Sequence, residues 1–279
     1  MGAELQGKRV LITGGNSGIG LTASLEMAKL GAELVLACHD SDKTAKALTS
    51  INAVAQVEAV NLPMDLSNLA SVRSLAGAFV ERYDRLDVLI NNAGTFPPKQ
   101  RHTEDGFEMQ MGVNHFAHFL LTNLLLDCIK RSAPARIITV TSMLHKKGQL
   151  DFDSFKGFSK YNAQAAYNQS KLANVLFAVE LAKRLEGTGV TSNLLHPGAV
   201  ATDIIRDLPW VLRKVIGLFF IAPEKGAKTT VMLASDPSLS EVNGKYYNQC
   251  KLDECSEQAA DSALREQLWN VSAQAVGLN

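Results

Sequence analysis

Two rhythms alternate along the chain. Short apolar runs with β-branched residues occur at Arg9 to Thr13, Leu34 to Cys38, Val57 to Leu62, Asp87 to Ile90, Arg136 to Thr141, Val190 to Leu195 and Lys245 to Asn248. Runs of that length and composition read as strands. Longer segments with helical spacing separate them. The first is Ile19 to Leu30, closed by Gly31. Ser41 to Ala53 opens on a serine suited to an N-cap. Ser67 to Tyr83 places Leu69, Val72, Leu75, Ala76 and Phe79 on one face. Gly106 to Arg131, Tyr167 to Glu186, Pro223 to Ser235 and Asp253 to Val271 complete the set. Met143 to Lys160 has no clear period and is predicted as a loop, and Ala201 to Phe220 is an irregular apolar insertion.

Strands that alternate with helices from end to end predict an α/β fold. The expected architecture is a doubly wound parallel sheet of about seven strands, with helices on both faces. No linker, repeat or shift of composition divides the chain, so residues 1–279 form one expected domain, with a substrate-covering insertion around 201–222.

Composition narrows the function. Hydrophobic residues make up 46% and charged residues 20%, enough for a substantial core. Lys+Arg and Asp+Glu both total 28, which gives no electrostatic case for nucleic acid or an anionic membrane. Of the cysteines only Cys250 and Cys255 lie close together, neither a zinc pattern nor a disulfide framework. A reducing, cytoplasmic compartment is expected. Met1 to Lys8 is too polar for a signal peptide. Spanning a bilayer takes ~20 apolar residues. The most apolar run, Val215 to Ala222, is shorter and leaves only peripheral membrane contact.

Candidate chemistry collects at one edge of the predicted sheet. Gly14, Gly18 and Gly20 lie between the first strand and first helix, where glycines let the backbone approach a pyrophosphate beneath a helix N-terminus. The spacing G-x-x-x-G-x-G is neither G-x-G-x-x-G nor a P-loop. Cys38-His39, Asp65-Leu66, Asn91 to Gly94, Ser142 and Pro197-Gly198 fall at the carboxyl ends of other strands. Open α/β sheets bind their ligands at that edge. Tyr167 and Lys171 stand at i and i+4 of a predicted helix and therefore share a face. A phenol ordinarily ionises near pH ~10. A neighbouring cation favours the phenolate, so the pair is expected to exchange protons near neutrality. His115 and His118 sit at i, i+3 without a nearby third ligand, which points to packing and capping rather than metal.

In order, Thr13-Gly14-x3-Gly18-x-Gly20, Asp65, Asn91-Asn92-Ala93-Gly94, Asn114, Ser142, Tyr167-x3-Lys171 and Pro197-Gly198-x-Val200-x-Thr202 cover nearly the whole chain. This sequence resembles the short-chain dehydrogenase/reductase family. Leu36-Ala37-Cys38, Gly112 to Leu121 and Tyr167 to Asn174 look most like its retinol dehydrogenase group. The resemblance implies Asn114, Ser142, Tyr167 and Lys171 as the catalytic set. Tyr167 would exchange the proton with the substrate oxygen, which Ser142 would hold. Lys171 would depress the Tyr167 pKa and bond the nicotinamide ribose, and Asn114 would hold a relay water. The cofactor is expected along Gly14, Asn16, Ser17, Gly18, Ile19, Gly20, His39, Asp65, Leu66, Asn92, Ala93, Gly94, Tyr167, Lys171, Pro197, Gly198, Val200 and Thr202.

By the same resemblance Cys38 stands where NAD enzymes carry a carboxylate, and His39 where similar members often carry Arg. NADP(H) is therefore expected to be preferred, with NAD(H) as the alternative. The apolar insertion predicts a small lipophilic alcohol, aldehyde or ketone as substrate, retinoid-like by resemblance. A light-independent relative of the protochlorophyllide reductases is a second enzymatic reading. A non-catalytic dinucleotide-binding scaffold or sensor is a third, and a broken Ser/Tyr/Lys set would mark it. Here the set is complete. The helices carrying Asn114 and Tyr167 form dimer faces in many relatives, so a homodimer or homotetramer is expected.

Overall fold

The computed structural model describes residues 4–198 and 223–278. Val200, Thr202 and the apolar insertion lie outside the described residues. The strands are β1 Arg9–Thr13, β2 Glu33–Cys38, β3 Val60–Pro63, β4 Val88–Asn91, β5 Ala135–Val140, β6 Val190–His196, β7 Tyr246–Asn248 and β8 Lys251–Asp253. They form one sheet in the order β3-β2-β1-β4-β5-β6-β7-β8, parallel except for the β7–β8 pair.

The order reverses between β1 and β4, whose registers pair Val10 with Val88 and Ile12 with Ile90. The carboxyl ends of these two strands therefore open side by side, the position where doubly wound sheets form a crevice.

The helices are α1 Gly18–Lys29, α2 Asp42–Asn52, α3 Leu69–Arg82, the short α4 Met109–Met111, α5 Ala117–Arg131, α6 Ala163–Arg184, α7 Pro223–Ser235 and α8 Ser262–Ala275. Alternation along each strand assigns them to layers. Val10, Ile12, Leu34 and Leu36 point to one side, against Met27 of α1 and Leu233 of α7. Leu11, Val35, Leu89 and Ile137 point to the other, against Val72 of α3, Leu121 of α5 and Leu176 of α6. Truncating a fully buried leucine of this kind costs ~2–5 kcal/mol.

Helix α6 lies in the centre of the second layer. From Asn168 to Ala182 every residue but Val179 is buried. Some of its buried polar groups are matched across the fold: Gln169 takes the Asp151 N–H at 2.7 Å and donates to Ser154 Oγ at 2.9 Å. Helix α8 closes the outer side. Trp269 meets Phe119 edge-on at 5.0 Å, and the Arg184 guanidinium lies 4.2 Å from the Trp269 ring centre. Arg265 reaches Glu180 at 3.4 Å, and Ser272 meets His115 Nε2 at 2.8 Å. One side of α6 is thus covered by the chain's own α8.

Several expected boundaries move, each for a local reason. The sheet has eight strands instead of about seven. β8 follows β7 through Gln249 and Cys250, both at positive φ (49° and 63°) without the glycine that signals such a turn. β3 begins at Val60 and not at Val57, because the Asn52 side chain takes the Ala59 N–H at 2.7 Å and ends the preceding loop there. The segment around Asn114 is one wide π-helical turn, Gly112–Phe116, inserted between α4 and α5. The predicted loop 143–160 contains two 3₁₀ turns, Met143–Lys147 and Phe152–Lys156. The last helix starts at Ser262, because Asp261 accepts the N–H groups of Ala263 and Leu264.

Candidate active site

The loop after β1 is shaped by what glycine permits. Gly14 and Gly18 have φ of +66° and +50°, the left-handed region that side chains disfavour. A Cβ on Gly20 would lie 2.2 Å from the Gly14 carbonyl oxygen and 2.7 Å from Asn92 Nδ2. Ser17 is the N-cap residue of α1, yet its side chain caps nothing, and no acidic residue stands in the first turn. The free N–H groups and the positive end of the helix therefore remain for a ligand anion. Ile19 is partly buried against the core behind. Asn16 Nδ2 donates to Thr44 Oγ1 of α2 at 2.8 Å.

The next wall is the turn after β4. Asn92 Nδ2 donates to the Thr13 carbonyl at 2.8 Å, and the N–H groups of Asn92 and Ala93 both donate to Thr13 Oγ1 at 2.9 Å. A Cβ on Gly94 would stand 3.3 Å from Asn114 Oδ1 and 3.5 Å from Lys171 Nζ. That exposed glycine lies between the loop and the pair Asn114 and Lys171.

At the far end lie Cys38, His39 and Asp65. Burial pushes the Cys38 thiol up to about 11, opposed by hydrogen bonds from the backbone of Asn16, Gly15 and Gly14. His39 is exposed, with Nε2 3.6 Å from Asp65 Oδ1. The same Asp65 oxygen accepts from Ser67 N at 2.7 Å and Ser67 Oγ at 2.8 Å. Leu66 packs against the core below. Pro197 and Gly198 continue the same edge after β6.

The catalytic candidates converge at the end of β5. Ser142 follows that strand and starts the first 3₁₀ turn, its Oγ accepting the Leu144 N–H at 3.3 Å. His145 Nδ1 donates to the Ser142 carbonyl at 2.6 Å, while its Nε2 accepts the Ser256 N–H at 3.1 Å. This network fixes the tautomer and pins Ser142 to the C-terminal segment. The Ser142 side chain lies close enough to the Tyr167 hydroxyl to favour its ionised form, and Lys171 Nζ lies 5.6 Å from the Tyr167 ring centre. Lys171 Nζ also donates to the Val140 carbonyl at 3.3 Å, and Thr141 Oγ1 donates to the Lys171 carbonyl at 2.7 Å. Asn114 accepts the Thr95 N–H at 2.7 Å and donates to Ser170 Oγ at 3.0 Å.

The electrostatics reverse one expectation. Desolvation pushes Tyr167 up to about 12 against the opposing influence of Ser142, so Lys171 does not bring it toward neutrality. Desolvation also lowers Lys171 to about 8. The sequence shows a phenol beside an ammonium; it does not show that the ammonium is buried and the phenol half-buried. In this enclosure burial outweighs attraction across the gap.

Sequence reasoning passed over Phe96, whose ring meets Tyr167 edge-on at 5.1 Å, and Thr13 as a ligand of the Asn92–Ala93 turn. A threonine ending a strand before a glycine loop was the available signal. His115 and His118 diverge, one to Ser272 and the other to Thr13. Among the described residues no three metal-ligating side chains come together.

The short chain dehydrogenase model matches residues 8–209. The chain belongs to the short chain dehydrogenase family. It is 43% identical to human retinol dehydrogenase 14 over 294 residues, covering 98% of this chain and 88% of that protein. It is also 43% identical to human retinol dehydrogenase 13 over 286 residues, covering 99% and 86%. An uncharacterised protein from Mycobacterium paratuberculosis superposes with a TM-score of 0.80 at 33% identity, covering 98% of this chain and 94% of that one. The Pseudomonas aeruginosa RhlG/NADP active-site complex does so with a TM-score of 0.72 at 27% identity, covering 88% and 96%. This short chain dehydrogenase is a retinol-dehydrogenase-like oxidoreductase of the alcohol–carbonyl class. No described helix is long and apolar enough to cross a membrane.

Proposed function

We propose that the protein is an NADP(H)-dependent oxidoreductase that interconverts lipophilic alcohols with their aldehydes or ketones, with Tyr167 as proton donor and acceptor. The observation that carries this reading is the gathering of Ser142, Tyr167 and Lys171 after β5, with Lys171 Nζ 5.6 Å from the Tyr167 ring centre, on the edge where the glycine loop ends. Two hydroxyls gathered in this way offer one substrate oxygen two partners: Ser142 donates to it, and Tyr167 gives or takes its proton.

The cradle fits a dinucleotide. Gly14, Ser17, Gly18, Ile19 and Gly20 would hold the pyrophosphate, with Asn92, Ala93 and Gly94 along its length. Pro197, Gly198, Val200 and Thr202 are the proposed partners at the nicotinamide end. When bound, the nicotinamide supplies the hydride donor or acceptor. Lys171, desolvated and bonded to the Val140 carbonyl, supplies the positive charge that holds a ribose hydroxyl. Asn114 keeps Thr95 and Ser170 in place and is the proposed anchor for a relay water.

NADP(H) is favoured over NAD(H) because Cys38 puts no carboxylate at the end of β2 to repel a 2′-phosphate. The Asp65 carboxylate near His39 moderates that preference. A lipophilic substrate is supported by the apolar groups flanking the hydroxyl pair: Phe96 against Tyr167, and Met143 beside Ser142 with 51% of its surface exposed. The relatives named retinol dehydrogenase direct the first trials to retinoid-like compounds.

The test is nicotinamide absorbance with a panel of carbonyl compounds and each dinucleotide. Turnover of apolar aldehydes or ketones, faster with NADPH, is expected and should vanish in Tyr167→Phe. Turnover confined to small charged sugars or acids removes the substrate class, and a strong NADH preference removes the cofactor assignment.

A further inference from the structure

We infer that His118 is a positioning residue of the dinucleotide site, joining the end of β1 to the Asn114 turn through a directed chain of hydrogen bonds. This rests on reading the β1/β4 edge as a dinucleotide site. Thr13 Oγ1 accepts two N–H groups, from Asn92 and Ala93, each at 2.9 Å. Both of its lone pairs are then taken, and its own hydrogen must go outward. Two acceptors are available: His118 Nε2 at 2.8 Å and the Ile90 carbonyl at 3.5 Å. The nearer wins, which leaves Nε2 without a proton.

The ring's proton is then on Nδ1, which donates to the Asn114 carbonyl at 3.1 Å. A charged ring could not accept from Thr13. Burial lowers His118 to about 4, and the nearby Lys171 charge adds to the effect, so the imidazole is neutral. The direction of every bond is thereby set: Asn92 and Ala93 to Thr13, Thr13 to His118, His118 to Asn114.

The far end of this chain reaches the catalytic helix. Asn114 Nδ2 donates to the Thr95 carbonyl at 3.2 Å and to Ser170 Oγ at 3.0 Å, one residue before Lys171. An apolar ring of the same size would fill the space but would leave the Thr13 hydroxyl turned to the distant carbonyl. The Asn92–Ala93 turn, the proposed wall of the dinucleotide site, would lose its fixed acceptor. Packing accounts for the burial of His118; it does not account for both nitrogens being committed in opposite senses.

The test uses the full chain and fluorescence titration with NADPH. Replacing one member of a buried hydrogen-bond chain is expected to weaken NADPH binding about tenfold in His118→Leu and in Thr13→Val. The double variant should be no weaker than either single one, because both break one chain. Thr13→Ser, which keeps the hydroxyl, should bind within about threefold of wild type. In turnover the loss should fall on KM for NADPH and leave kcat at saturation nearly unchanged. Nitrogen NMR of the wild-type imidazole should show the neutral Nδ1–H tautomer.

A His118→Leu protein with lowered Tm but unchanged NADPH affinity overturns the inference, as does an Nε2–H tautomer. If His118→Leu does not fold, Thr13→Val decides, and wild-type affinity there overturns the inference equally. Wild-type protein that binds neither NADPH nor NADH overturns the dinucleotide reading itself, a result visible before any variant is compared.

Discussion

The glycine loop and the Ser142–Tyr167–Lys171 cluster share one sheet edge but are built by opposite means. The loop is a main-chain device. Its shape depends on absent side chains, as the 2.2 Å approach of a Gly20 Cβ to the Gly14 carbonyl shows. Its charge comes from the uncapped end of α1. The cluster is a side-chain device whose behaviour depends on enclosure: the same burial raises Tyr167 to about 12 and lowers Lys171 to about 8. A backbone site can be assembled from neighbours in sequence. A side-chain site needs the rest of the fold to exclude water.

The sharpest test of that contrast is Tyr167→Phe. Loss of a positioned acid/base lowers kcat by roughly 10²–10⁴-fold, while NADPH affinity measured by fluorescence should hold. A variant that loses binding but keeps turnover would erase the distinction between the two regions. Gly20→Ala should do the converse. The added methyl forces the Gly14 carbonyl and the Asn92 amide apart, and dinucleotide affinity is expected to drop roughly a hundredfold, with Tm as the control for folding.

Lys171 offers a third test through pH. Its folded value of about 8 lies below the ordinary 10.5, so between those values the unfolded chain holds the proton that the folded chain has released. Stability from this group therefore rises with pH across that window. Urea unfolding at pH 8 and 10 should show wild type gaining on Lys171→Met by on the order of 2 kcal/mol. An equal change in both proteins would mean that the ammonium is not desolvated. Tyr167 acts in the opposite sense only above pH 10, where the unfolded phenol ionises first.

The mildest change is Cys38→Asp. A carboxylate at the end of β2 repels a 2′-phosphate and can bond a ribose hydroxyl, so the ratio of kcat/KM for NADPH over NADH should fall by about tenfold. An unaltered ratio would place cofactor choice elsewhere on the loop side.

The same contrast explains what was legible in the sequence. The β1 loop, the Asn92–Gly94 turn and the alternation of strands and helices were readable, because glycine positions and apolar periods are local. Ser142, Tyr167 and Lys171 were found by spacing and resemblance, but the sign of the Tyr167 shift was missed. Helix α6 gave no warning of its burial: Asn168, Gln169, Ser170, Lys171, Asn174 and Glu180 break any apolar stripe, yet all six are buried. Sequence-distant partners meet several of these groups, as Asp151 and Ser154 meet Gln169 and Arg265 meets Glu180. The Asn114 turn was read as plain helix because a π-helical turn changes the bonding and not the composition. β8 was missed because its turn lacks glycine.

The outer side of α6 is covered by the same polypeptide, through Trp269 and Arg265. That support is a covalently tethered neighbour whose local concentration does not depend on how much protein is in the tube. Turnover per molecule should stay constant on serial dilution into the nanomolar range.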